Sequence, residues 1–289
     1  MERSDARLGL ILVTPLVVLL VLLVYYPLGL GFDLSLRSVI FGSGIPDRYV
    51  GLRNYSSVLS NPDTRSAALH TLVYVVLAVG LELALGLSFA LALNKPFRGR
   101  GLVLAMLIVP WALPSVVSSV LWSRILSPDN GLLDRVLLGL HVIDKPVLWM
   151  AQSSTAIPAI TLVHAWGVVP LTTLIFLAGL QSIRGELDEA AAADGATGLG
   201  AFRQITLPLL RPSFAVALVT GTTAAMGIFD EIFVLNGTSL STRSVMMQIY
   251  QTTFQDLDFG RGTALAFLLT TATALIGIAY ILRLRRVEQ

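Results

Sequence analysis

Cysteine is absent from the chain, which removes disulfide frameworks, thiolate nucleophiles and cysteine-ligated metal sites together. Lysine is almost absent as well: Lys95 and Lys145 are each followed by proline, so no Gly-x-x-x-x-Gly-Lys-Ser/Thr loop exists to cradle a nucleotide phosphate. The histidines His70, His141 and His164 are widely separated, and no acids stand near them at ligand spacing. No nucleophile has a positioned base in sequence. The expectation is a chain that is not an enzyme and holds no metal or cofactor of its own.

Charge is also scarce. Charged residues make up 13% of the 289 and hydrophobic ones 55%, against about 25% charged in a soluble domain. Apolar residues fall in long uninterrupted blocks rather than in the alternations of half-buried elements, so lipid is the natural solvent for most of the chain. The formal net charge of +2 does not mark a nucleic-acid binder, because the arginines flank apolar blocks instead of forming one basic face.

A helix crossing about 30 Å of hydrocarbon needs around 20 residues. Six blocks qualify: approximately Leu8 to Phe32, Ala68 to Leu93, Leu102 to Ile125, Thr155 to Leu180, Pro212 to Leu235 and Phe259 to Leu282. The first follows Arg3 and Arg7 and could pass for a signal peptide, but it exceeds the usual apolar length of about 7 to 15 residues, and Tyr25-Tyr26-Pro27 is a poor cleavage site. It reads as a retained transmembrane helix.

Basic clusters set the orientation. Arg3 and Arg7 precede the first block, Lys95, Arg98 and Arg100 follow the second, and Arg283, Arg285 and Arg286 follow the last. Six crossings put all of them on one side, and the positive-inside rule makes that side cytoplasmic. Both termini and the segment Gln181 to Arg211 are then expected inside, with 33–67, 127–154 and 236–258 outside. In the first outer segment, the run from Tyr49 to Leu59 predicts either a short amphipathic helix or a packed loop.

The cytoplasmic stretch from Gly185 reads GELDEAAAADGATGLGAFRQITLPLLRP. Glu186, Asp188 and Glu189 in a first turn offset the exposed N–H groups and positive dipole of a helix start. Ala190 to Ala193 extend that helix, and Asp194-Gly195 stops it. A second short helix is expected over Leu199 to Ile205, after which Pro208 and Pro212 are expected to interrupt regular helix. The pair forms a bent protrusion whose alanine face lets another backbone come close.

The spacing of Glu189, Ala190, Ala191, Asp194, Gly195, Ile205, Leu207 and Pro208 resembles, without a gap, the EAA loop of ABC importer permeases. Gly51-Leu52-Arg53-Asn54-Tyr55, Val109 to Pro114, Gly131-Leu132-Leu133 and Phe229 to Leu235 are similar to the carbohydrate-uptake branch, which includes the maltose and glycerol-phosphate permeases. Arg184 stands where relatives commonly have proline, and Asn236-Gly237-Thr238 replaces a Thr-Gly-Gly-Gly-Pro-like turn.

The resemblance implies an all-α, polytopic type I ABC importer permease fold in the inner membrane, with six transmembrane helices and cytoplasmic termini. Residues 1–67 would supply the first helix and an outer segment, and 68–289 a five-helix core with the coupling loop at 181–211. Implied partners are a second related permease, a dimer of ATP-binding subunits that hold ATP and magnesium, and an extracytoplasmic solute-binding protein. The implied function is ATP-driven import of a sugar or polyol.

Ionisable and aromatic groups in the blocks suggest a pathway. A carboxylate at mid-bilayer costs on the order of 2.5 to 3.5 kcal/mol on the lenient insertion scale. Glu82 is read as a structural polar link between helices, with a pathway contact as the other reading. Asp230, Glu231 and Asn236 offer acceptors for sugar hydroxyls, with Phe229 or Phe233 covering an apolar sugar face; a solvated helix end is the competing reading for the two acids. Trp166 can stack on a sugar or anchor at the interface, and Pro170 is expected to kink the helix and free a carbonyl in the same block. An ion-coupled carrier predicts inverted repeats and glycine-flanked unwound helices, which are not found. A membrane-embedded enzyme predicts a catalytic cluster at one membrane face, and the acids are dispersed.

Overall fold

The computed structural model describes residues 12–44, 46–183 and 198–285. Glu189, Ala190, Ala191, Asp194 and Gly195 therefore lie outside the described residues. The described chain is almost wholly helical, as its composition demands: in lipid, a helix satisfies every backbone N–H and C=O within its own segment.

Four helices are each long and apolar enough to cross a membrane: α1 (Leu12–Ser35), α3 (Pro62–Asn94), α7 (Ser153–Ser182) and α12 (Phe259–Arg285, with the span reaching Arg283). The short α2 (Arg53–Ser60) precedes α3, so the amphipathic run after Tyr49 is a helix, with Asn54 and Val58 on its buried side.

The third and fifth apolar blocks are not straight rods. α4 (Arg100–Ala112) and α5 (Ser115–Ile125) meet at 101°, and α8 (Leu199–Leu209) and α9 (Arg211–Met226) meet at 66°. Counting each bent pair as one span gives six, the number of apolar blocks. The first bend sits at Leu113-Pro114, both with extended backbone; proline disfavours helix in the residue before it. The expected fifth helix from Pro212 to Leu235 instead stops at Met226 and resumes as α10 (Asp230–Asn236). At 16 residues, α9 is about 24 Å long, short of the hydrocarbon thickness.

The interruption expected from Pro208 and Pro212 falls between them, at Leu210, where α8 and α9 meet at 66°. Phe202–Thr206 forms a π turn, with Leu207 N–H bonded to the Phe202 carbonyl, and helix continues through Pro208 to Leu209. The wider turn shifts the hydrogen-bond register just before a residue that has no N–H to donate. α7 likewise runs unbroken through Pro158 and Pro170. Shorter helices among the described residues include α6 (Leu132–Gly139) and α11 (Val245–Tyr250), the latter followed by a π turn over Gln251–Gln255.

Two compact units emerge. The first takes residues up to Thr64 together with Ile249–Leu268. In it β1 (Arg37–Ser38) pairs antiparallel with β2 (Arg48–Tyr49). Asn54 Nδ2 donates to the carbonyls of Ser35 and Arg37 at 2.8 and 2.7 Å, and Ser35 Oγ meets Tyr55 Oη at 2.8 Å. Gly51 adopts φ +58° to enter α2. Phe32 of α1 meets Phe267 of α12 edge to face, with centroids 5.5 Å apart.

The second unit holds Arg65–Gln248 and Leu269–Gln289. One core joins Ala90, Leu93, Phe176, Leu177, Leu180, Leu210 and Ala217; another joins Val75, Ala78, Val79, Ala225 and Met226. Between helices in lipid, association rests on close van der Waals contact at small residues. Gly86 accordingly faces Thr172, and Gly179 faces Ser213 and Leu210, so closely that a β-carbon would collide.

Candidate functional site

In the second unit, α3, α7 and the resumed α10 each carry an ionisable side chain to one buried point. His164 on α7 places Nδ1 2.9 Å from Glu231 Oε1 and Nε2 3.8 Å from Glu82 Oε1. An ionised carboxylate can only accept, so the Nδ1–H donates to Glu231. Glu82 is 1% exposed, His164 7% and Glu231 9%. Neither Glu82 oxygen nor His164 Nε2 has a hydrogen-bond partner among the described residues. Two carboxylates sharing one imidazole in a dry setting attract it strongly and lose heavily if it is removed.

The surroundings are built to this cluster. A β-carbon on Gly221 of α9 would lie 2.5 Å from Glu82 Oε2, so the carboxylate occupies space that another residue at 221 would fill. Tyr74, fully buried on α3, donates its hydroxyl to the Thr242 carbonyl at 3.0 Å.

The gap between α9 and α10 is an ordered break. Ser244 Oγ donates to the carbonyl of Ile228 at 2.8 Å and accepts from Met247 N–H at 3.1 Å. Val245 N–H donates to Thr71 Oγ1 at 2.8 Å, tying the segment to α3. The first turn of α10 then makes two connections: Glu231 to His164, and Asp230 to the hydroxyl of Ser115, the first residue of α5. The two broken helices thus meet at their break points.

These contacts distribute the residues proposed for a substrate path. Glu231 faces the buried histidine, and Asp230 accepts from Ser115. Asn236 Nδ2 donates to Thr242 Oγ1 at 3.0 Å within its own turn. Phe229 stacks on Phe233, with centroids 5.6 Å apart. Trp166 lies two residues beyond His164, hence on another side of α7, edge to face with Trp122 at 5.9 Å. Together with Leu85, Phe89, Pro110 and Pro170, the two tryptophans line an apolar groove of about 450 Å³. Asp230, Glu231 and Asn236 are not among the residues that line this groove. The structure adds His164 to Glu82, a pairing for which an ionisable residue in each of two apolar blocks was the available signal.

Of the residues expected to couple to an ATP-binding partner, Ile205, Leu207 and Pro208 are described and lie on α8, with Leu207 exposed and the other two half-buried. Leu210, at the bend that follows, is fully buried among residues of α3 and α7. The end of α8 is therefore attached by packing to both long helices.

Residues 82–289 match the family described as binding-protein-dependent transport system inner membrane component. The trehalose/maltose transport system permease protein MalF of Thermococcus litoralis is 36% identical over 284 residues, covering 97% of this chain and 95% of that one. The trehalose transport system permease protein SugA of Mycobacterium tuberculosis is 31% identical over 280 residues, covering 97% and 89%. The fold is that of a solved chain of a bacterial ABC transporter involved in import of the acidic polysaccharide alginate. Its TM-score is 0.83 at 21% identity, with 99% of this chain and 98% of that one covered.

Proposed function

The chain belongs to the binding-protein-dependent transport system inner membrane components, and from that premise we propose that it moves a sugar or related polyol inward as one permease subunit of an ATP-driven ABC importer. The observation that carries this reading is likeness along nearly the whole chain, crossings and connections alike, to permeases named for trehalose and maltose transport.

In this reading the termini and the segment 181–211 face the cytoplasm, and an extracytoplasmic binding protein delivers solute to the other side. A second permease supplies the other wall of the path. A pair of partner subunits binds ATP and magnesium and grips the segment around Glu189 to Gly195. Closure of those subunits pushes α8; the buried Leu210 and the close Gly179–Ser213 approach pass the displacement to α3, α7 and α9. Packed helices respond by switching between discrete arrangements rather than by bending continuously. Trp166 and Trp122 offer ring faces to the solute, and Asp230, Glu231 and the joined breaks shape the path.

The complete complex, reconstituted in liposomes with its binding protein, tests the proposal. Gly195→Val is expected to assemble normally and hydrolyse ATP while sugar accumulation falls at least tenfold. Normal coupling in that variant removes the docking role, and uphill transport by this chain alone overturns the ABC reading.

A further inference from the structure

A second site lies in the first compact unit, remote in sequence from the Glu82–His164–Glu231 cluster. β1, β2, α2 and the start of α12 enclose a polar cleft of about 280 Å³ whose charged lining is Arg48, Arg53, Arg261 and Asp258, with Ser38 and Ser57 beside them. Its floor is rigid. Asn54, which also lines it, is buried and fastened to two backbone carbonyls. A β-carbon on Gly260 would come within 2.3 Å of the Arg37 carbonyl.

The charges do not cancel. Asp258, itself buried, accepts from the Arg261 backbone N–H at 2.9 Å and lies 3.5 Å from Arg261 Nε. Arg48 and Arg53 make no side-chain hydrogen bond or ion pair among the described residues. The neighbouring Asp33 is taken by Arg37 at 2.7 Å, outside the cleft. In the run Gly51 to Tyr55, Gly51 supplies the turn, Asn54 the clamp and Tyr55 the bond to Ser35; the Arg53 side chain is left for the cleft.

Depth identifies the anion. The first span ends at Ser35 and the last begins at Phe259, so Ser38 and Arg261 are each within three residues of a span end. Phe267, edge to face with Phe32, lies six residues beyond Arg261, about 9 Å further along a helix. With the hydrocarbon ending near these helix ends, the cleft falls in the headgroup layer, roughly 5 to 7 Å thick on each side. Phe41, Tyr49 and Leu52, sequence neighbours of cleft residues, are exposed apolar groups suited to that interface. We propose that this cleft seats the phosphate of an anionic phospholipid headgroup, held by Arg48 and Arg53 and bordered by Arg261.

The test uses the full chain purified in detergent with its partner subunits, titrated with phosphatidylglycerol and read by native mass spectrometry. The double variant R48Q/R53Q is expected to weaken the tightest-held lipid about 25-fold, roughly fivefold per arginine. The double variant K95Q/R98Q, which removes the same two charges from exposed positions elsewhere, should leave retention unchanged. Both cleft arginines are exposed, so folding is not at stake. Wild-type retention by the double variant overturns the proposal; if that variant also loses stimulation by the binding protein, the cleft is a protein dock instead. Binding of inorganic phosphate by the same arginines as tightly as lipid makes it a free-anion site and likewise overturns the lipid assignment.

Discussion

Gly221 faces Glu82 so closely that a β-carbon on it would lie 2.5 Å from the Glu82 carboxylate. The glycine is thus the fourth member of the buried cluster, present through the side chain it does not have. Because Glu82 is 1% exposed and near His164, its carboxylate has little room to yield. Gly221→Ala is expected to destabilise the chain by about 1 to 3 kcal/mol, the usual cost of overpacking. Thermal unfolding in detergent should show a lower midpoint; an unchanged midpoint means that the cluster is looser than the contact implies.

His164 is the one partner both acids share. Replacing it with leucine leaves two carboxylates buried without a donor, a loss of about 3 to 5 kcal/mol for a broken buried pair. Replacing both acids by amides, with Glu82→Gln and Glu231→Gln in the same chain, should recover much of that loss. A double-mutant cycle reads the coupling, and strict additivity of the single changes shows that the three residues do not act together.

Leu210 joins the bend after α8 to a core shared with α3 and α7. Leu210→Ala should leave assembly and ATP hydrolysis near normal while uptake falls, because the push has lost its grip. The ratio of sugar transported to ATP hydrolysed in liposomes is the measurement. A preserved ratio moves the point of attachment elsewhere.

Ser115 and Asp230 separate two roles for the acid. If Asp230 joins the breaks, Ser115→Ala and Asp230→Ala lower the maximal transport rate alike, and Asp230→Asn retains most of it. A change in apparent sugar affinity for Asp230→Ala alone, with Ser115→Ala unaffected, would instead make Asp230 a sugar ligand.

What the residues announce about this fold, and what they conceal, follows from the range of each signal. Hydropathy acts over a window of about 20 residues, so α1, α3, α7 and α12 are legible from their apolar runs alone. The same averaging hides direction. The stretch from Leu102 to Ile125 is apolar on both sides of Pro114, and its 101° turn is betrayed only by the local chemistry of the proline. At Gly227 even that cue is weak, because apolar residues continue through Ile228 and Phe229. Pro208 marks its bend only to within two residues, since a π turn upstream carries the helix through it to Leu209. The union of Glu82, His164 and Glu231 joins residues up to 149 positions apart, which no local pattern reports.

The pairing of Ser115 with Asp230 constrains how the subunit can flex. The second break is already fastened to α3 through Val245 and Thr71, and the hydroxyl adds a tie from it to the first. Joined by one hydroxyl, the two elbows are biased by about 1 kcal/mol toward turning together, so a gate made from them favours its two concerted settings over the two mixed ones.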